Sequence, residues 1–184
     1  NQEINVRGVI GSNPTIPDGD TTPQGTDNTL FATVAVGSSQ AKVFRIENTG
    51  NADLTVSNVS FAVATVHFTI SPITFPLVIP GGSYYDFTIT FNPQSVGVKA
   101  STLNIANDDA TVSEQIYSFV VQGTGTVTPV VDMNITGNGN TIPDNSIYPA
   151  GTNHTAFGVA TVGVTTVVRT FTIQNLGSSL LSLT

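Results

Sequence analysis

The sequence predicts an all-β protein built as tandem immunoglobulin-like antiparallel β-sandwiches, the second of them incomplete. Three observations predict this: the chain repeats itself, its apolar residues alternate with period two, and the alternating runs are separated by turn-forming residues. Residues Glu3-Ile4-Asn5-Val6-Arg7-Gly8 return as Asp132-Met133-Asn134-Ile135-Thr136-Gly137. Thr15-Ile16-Pro17-Asp18 returns as Thr141-Ile142-Pro143-Asp144, and Phe44-Arg45-Ile46-Glu47-Asn48-Thr49-Gly50 as Phe171-Thr172-Ile173-Gln174-Asn175-Leu176-Gly177. The offsets run only from 126 to 129 residues, so the copies differ by small insertions. A period this long is a whole domain rather than a solenoid rung.

Each strand is justified by its alternation. In Tyr85-Asp86-Phe87-Thr88-Ile89-Thr90-Phe91 the residues at 85, 87, 89 and 91 share one face and Asp86, Thr88 and Thr90 the other, the pattern of a half-buried strand. Phe44–Ile46, Leu54–Val59, Thr102–Ile105 and Tyr117–Val121 read the same way. Between them lie Thr49-Gly50-Asn51, Pro80-Gly81-Gly82, Asn92-Pro93, Asn107-Asp108-Asp109 and Gly123-Thr124-Gly125, all turn chemistry. Short strands bounded in this way predict an immunoglobulin-type sandwich. The complete domain is expected over residues 2–125, a short linker over 126–130, and the N-terminal part of a second domain over 131–184, with strands near 132–136, 156–162, 167–174 and 180–184. Asn1 reads as a processed or cloning-defined start and the second copy as truncated. A proline-bearing linker this short predicts modules stacked into a stiff rod.

Composition narrows the function classes. Only 9% of the 184 residues are charged, while Thr, Ser, Asn and Gly fill the polar positions; this surface fits an extracellular scaffold or adhesin. Two Lys and three Arg in a chain of net charge −7 form no basic patch, which argues against nucleic acid as a partner. With no cysteine there is neither disulfide nor thiolate chemistry. No apolar run is long enough to span a bilayer. The expected partners are other repeats of the same chain, then surface proteins or glycans.

The stretch Phe44-Arg45-Ile46-Glu47-Asn48-Thr49-Gly50-Asn51-Ala52-Asp53-Leu54-Thr55-Val56, with Ile79-Pro80-Gly81-Gly82-Ser83, Phe87–Pro93, Leu103–Asp108 and Val121–Gly125, resembles the choice-of-anchor D repeat. That repeat belongs to the ASPM-SPD-2-Hydin (ASH) and major-sperm-protein-like group of immunoglobulin-type sandwiches. The lead-in Asp18-Gly19-Asp20-Thr21-Thr22-Pro23 is similar to the version found in large secreted proteins of Bacteroidetes, many exported by type IX secretion. The resemblance implies an extracellular or cell-surface location and a non-catalytic structural or adhesive role as stalk, spacer or filament component. Two alternatives stand beside it: the ancillary region of a secreted enzyme whose catalytic domain lies elsewhere, and a carbohydrate-binding sandwich.

Few residues suggest chemistry. Asp18, Asp20 and Asp27 lie in a Gly/Pro/Thr loop of the kind that Ca²⁺ prefers, against solvated loop acids and Asx turns; in the second copy only Asp144 keeps the carboxylate, with Ser146 and Asn153 at the other positions. Asp20-Thr21-Thr22 is similar to a short O-glycosylation pattern of exported Bacteroidetes proteins, with Thr21 as acceptor. Asp108 and Asp109 sit at a strand end as a candidate acid/base pair, but neighbours in an extended chain point to opposite faces rather than across a cleft, so a turn is expected there. His67, read as part of an apolar strand, and His154, in a loop, have no partner histidine nearby. Gly137-Asn138-Gly139-Asn140 lacks the lysine and helix of a phosphate loop and reads as a β-turn. Asn58, Asn134 and Asn153 match the N-glycosylation pattern without implying it, and one of Tyr84 and Tyr85 is expected to face outward, where a ring can stack on sugar. No catalytic residue or organic cofactor is expected.

Overall fold

A computed structural model describes residues 1–184 and divides into two compact units, Asn1–Thr128 and Pro129–Thr184. The first unit has nine strands: β1 (Ile4–Gly8), β2 (Leu30–Ala35), β3 (Gln40–Asn48), β4 (Leu54–Phe61), β5 (Phe68–Ile70), β6 (Leu77–Ile79), β7 (Tyr84–Phe91), β8 (Gly97–Asn107) and β9 (Ile116–Thr126). They form a four-stranded sheet in the order β1-β3-β7-β5 and a five-stranded sheet in the order β2-β9-β8-β4-β6. The alternation read from the sequence is realised: Phe87, Ile89 and Phe91 of β7 are buried, and so are Leu103 and Ile105 of β8 and Tyr117, Phe119 and Val121 of β9.

Aromatic pairs join the two sheets. Phe44 of β3 meets Phe119 of β9 at 5.6 Å between ring centroids, and Phe31 of β2 meets Phe68 of β5 at 5.7 Å and Phe91 of β7 at 5.8 Å. Such pairs add about 0.5–1.5 kcal/mol each beyond their area burial. At one end of this core the Tyr117 hydroxyl donates to the Ile16 carbonyl at 2.6 Å, which satisfies both polar groups inside the sandwich.

Every strand pair of the first unit is antiparallel except one. β2 runs parallel to β9, pairing Leu30 with Gln122 and Ala35 with Thr126. Bonds from the Gln122 amide to the Thr29 carbonyl and from the Val36 amide to the Thr126 carbonyl flank this pairing. The chain therefore begins in one sheet with β1 and crosses to the other with β2. The segment expected as a linker is bonded into the first unit up to Thr128, whose hydroxyl donates to the Val36 carbonyl at 2.8 Å.

Glycine and asparagine in the turn after β3 suggest positive φ, and the structure differs. Asn48-Thr49-Gly50-Asn51 contains no residue of positive φ. Gly50 is needed there for space, because a Cβ would collide with the Asn1 carbonyl and press on the Glu3 amide. The buried Asn48 side chain closes the turn by accepting from the Gly50 amide at 3.1 Å and donating to the Ala52 and Ile79 carbonyls at 2.7 and 2.8 Å.

The second unit has three strands, β10 (Met133–Gly137), β11 (Asn140–Thr141) and β12 (Phe171–Asn175), in the order β11-β10-β12. β10 pairs with β12 in the register of β1 with β3: Ile135 faces Ile173 as Val6 faces Ile46. The Asn48 turn is reproduced as well, with Asn175 accepting from the Gly177 amide and donating to the Ser179 carbonyl. Strands expected over 156–162 and 180–184 are not formed, and that expected over 167–174 is confined to Phe171–Asn175. The physical reason is pairing. Residues 156–161 correspond to β2, whose partner is β9, and 167–170 to the half of β3 that pairs only with β7; the second copy has neither partner among its residues.

Candidate functional site

The loop that carries Asp18, Asp20 and Asp27 leads from β1 to β2 and lies against β9. Asp18 Oδ1 accepts from the Ser118 amide at 2.7 Å. Asp20 Oδ1 accepts from the amide and hydroxyl of Thr22, at 2.9 and 2.8 Å, an Asx turn within the loop. Asp27 is buried, and its Oδ1 accepts from the Thr29 amide at 3.0 Å and the Thr29 hydroxyl at 2.6 Å. Each carboxylate thus holds a different piece of backbone, and no group of three or more His, Asp or Glu side chains in the molecule is placed to hold a metal ion. Asp27 instead lies in the field of Lys42, which donates to the Leu30 carbonyl at 2.7 Å. Burial lowers the Lys42 ammonium below its ordinary value, with the Asp27 carboxylate opposing. Thr21 stands exposed within this loop.

The carboxylates past β8 also serve the backbone. Asp108 Oδ1 accepts from the Thr55 amide at 2.7 Å. Asp109, 1% exposed, accepts from the Ile4 amide at 2.7 Å and the Thr111 amide at 2.6 Å, tying β1 to the β8–β9 connection. Glu114 beside it is raised above the usual carboxylate range, first by burial and then by Asp109, Glu3 and Asp18. His67 sits just before β5 rather than within it, and its Nδ1 accepts from the Gln94 amide at 3.1 Å. His154 occupies a left-handed position, φ 65°, where the first copy has Asn28 at φ 72°. Asn138 and Gly139, at φ 51° and 76°, form the two-residue hairpin turn between β10 and β11. Of the three N-glycosylation matches, Asn58 and Asn134 lie on strands and Asn153 is buried, where its Oδ1 accepts from the Thr155 hydroxyl at 2.7 Å.

The outward face of the four-stranded sheet carries a polar cluster that single-residue reasoning missed. Arg45 of β3 binds both carboxylate oxygens of Asp86 on β7, at 2.7 and 2.9 Å, and its guanidinium lies 3.5 Å from the centroid of the Tyr84 ring. Beside it Glu47 accepts from Asn5 at 2.9 Å and Arg7 at 2.5 Å, both on β1. Tyr84 is the outward tyrosine, but the guanidinium takes one of its ring faces. Only strand register could have shown these partners, since Arg45 and Asp86 are directly opposed across β3 and β7.

The family model described as Abnormal spindle-like microcephaly-associated, ASPM-SPD-2-Hydin (ASH) matches residues 23–116, just over half of the chain. The chain belongs to the ASH family. The matched segment runs from the loop before β2 to the start of β9. Among solved structures, the ASH chain is similar to the ASH/PapD-like domain 7 of human CEP192, with a TM-score of 0.42 and 17% identity over 55% of this chain and 82% of that one. A Porphyromonas gingivalis W83 protein of unknown function gives a TM-score of 0.44 and 13% identity over 67% and 66%. The secreted serine protease VesC of Vibrio cholerae gives 0.41 and 17% over 56% of this chain and 22% of that one. No curated protein matches the ASH chain. None of its helices is long and apolar enough to cross a membrane.

Proposed function

We propose that the chain is a non-catalytic repeat module of a large exported bacterial protein, of the choice-of-anchor D kind known from Bacteroidetes and type IX secretion. At the cell surface it acts as stalk, spacer or filament component, with the second copy as the beginning of a further module. The observation that carries this reading is the parallel pairing of β2 with β9. A force that draws the start of β2 and the end of β9 apart loads their hydrogen bonds together in shear, whereas a hairpin pulled at its open end yields one bond at a time. Beneath that pair lies a closed aromatic core, and Asp18, Asp108 and Asp109 tie loops to strands. The low-charge, Thr-rich surface fits the same extracellular setting.

Single-molecule stretching of the chain between its ends tests this. A discrete force peak is expected, with a contour gain of about 3.5 Å per residue released from the first unit. Val36→Pro removes the amide that donates to the Thr126 carbonyl and should lower the peak. Extension without a resolved peak, or a peak indifferent to Val36→Pro, overturns the mechanical reading.

A further inference from the structure

Each sheet of the first unit ends in two outer strands, and their free edges are closed by different means. An uncovered edge offers its amides and carbonyls to any strand that meets it. The edge of β1 is taken by main chain and by one carboxylate: the Ile16 amide donates to the Val6 carbonyl at 2.8 Å, the Gly8 amide to the Pro14 carbonyl at 3.2 Å, and the Ile4 amide to Asp109 Oδ2 at 2.7 Å. β5 and β6 have three residues each and are too short to template a partner. β2 is different. It has six residues, stands at the edge of the five-stranded sheet, and leaves Leu30, Ala32 and Thr33 exposed.

The edge of β2 that is not paired to β9 is held by side chains from the opposite sheet. The Ala32 amide donates to Gln40 Oε1 at 2.8 Å, and the Leu30 carbonyl accepts from Lys42 Nζ at 2.7 Å. The Leu30 amide is met by the Gln24 carbonyl at 3.0 Å. Gln40 and Lys42 lie at the start of β3, in the same alternation as Phe44, Ile46 and Asn48, which are buried. At this end of β3 the inward face meets the rim of β2 rather than the middle of the core, so polar side chains stand where the pattern calls for apolar ones. The Lys42 ammonium lies 5.3 Å from the centroid of the Phe31 ring, and the buried Asp27 carboxylate supplies the opposite charge. The second copy keeps a cation at the Lys42 position, as Arg169.

We infer that Gln40 and Lys42 form a latch that closes the free edge of β2 against pairing with the β2 edge of a second copy of this chain. The strand itself invites such pairing. Leu30-Phe31-Ala32-Thr33-Val34-Ala35 has no charge, no proline and no glycine, the composition of a segment prone to stack on its own image. An incoming strand needs the Ala32 amide and the Leu30 carbonyl, and the latch keeps both inside the molecule. It also sets a charge at the rim: two copies meeting edge to edge at Ala32 bring two Lys42 ammoniums together, and like charges across a strand pair repel. The latch acts whether or not the domain bears load.

The test compares the 184-residue chain with its Gln40→Val/Lys42→Met double variant by sedimentation velocity over a concentration series, the parent chain setting the baseline. The double variant keeps aliphatic bulk at both positions and loses the two polar heads. It should self-associate at least tenfold more tightly than the parent. Lys42→Arg keeps both donor and charge and should match the parent. Adding Ala32→Pro to the double variant removes an amide that donates to Gln40 rather than to β9, and should return association to the parent level. Gln40→Ala, a small change at a strand end, gives a reading that needs no association: the Ala32 amide should exchange at least tenfold faster than in the parent. Association no tighter than the parent's, association indifferent to Ala32→Pro, or an Ala32 amide indifferent to Gln40→Ala overturns the inference.

Discussion

At the scale of single residues, the side chains that look chemical in the sequence work as staples. Asn48 is the clearest. It is buried, makes bonds to four backbone groups around one turn, and its place in the second copy is taken by Asn175. Asn48→Ala strands those groups, at about 1–3 kcal/mol for a buried unsatisfied partner, and should lower the denaturant midpoint without a change of slope. Tyr117 adds a pH dependence. Burial, ahead of the nearby carboxylates, raises its phenol from the ordinary 10 up to about 12. The folded protein then keeps the proton where the unfolded chain loses it. The Tyr117 contribution to stability is whole below pH 10 and is lost as pH rises towards about 12. Alkaline titration of the unfolding midpoint should show this fall, and Tyr117→Phe should flatten it while lowering stability at neutral pH through the lost bond to Ile16.

At the scale of elements, burial alternates along each strand, so the cost of mutation should alternate too. In β8, Leu103→Ala removes a fully buried side chain and should cost about 2–5 kcal/mol, while Thr102→Ala, one residue earlier and on the other face, should stay within about 0.5 kcal/mol in chemical denaturation. The same alternation is why β3, β4, β7, β8 and β9 were legible in the sequence: each presents at least two inward apolar residues at spacing two. β5 and β6 were not, because each has three residues and too little pattern to separate from loop. The parallel pairing of β2 was hidden for a different reason. Alternation says which face a strand buries and nothing about its neighbour. The repeat supplied one signal that alternation lacked, since Asn-x-Gly returning as Asn175-Leu176-Gly177 marks a shared turn, although its mechanism proved to be side-chain bonding and close approach rather than positive φ. The polar cluster of Arg45, Asp86 and Tyr84 stayed invisible because Arg45 lies 39 residues from Tyr84 and 41 from Asp86 and meets them only through register.

At the scale of the whole molecule, the two copies form a natural experiment in what holds a sheet together. β10 and β12 repeat the ladder of β1 and β3 residue for residue, and Gly137 keeps the tight contact with the Asn153 carbonyl that Gly8 makes with Asp27. If ladder bonds decided local stability, the two pairs would open alike. They differ instead in cover: Val6, Phe44 and Ile46 are fully buried under the second sheet, while Phe171 and Ile173 face solvent. A net hydrogen bond contributes only about 0.5–1.5 kcal/mol, whereas burying a large apolar side chain contributes about 1.5–3 kcal/mol and keeps water from the ladder. Native-state amide exchange should therefore split the copies. Amides bonded within β3, β7, β8 and β9 should exchange only through global opening of the first unit, and those of β10 and β12 through local opening with far lower protection. Equal protection in β1–β3 and β10–β12 would mean that local turn and ladder bonds outweigh the core.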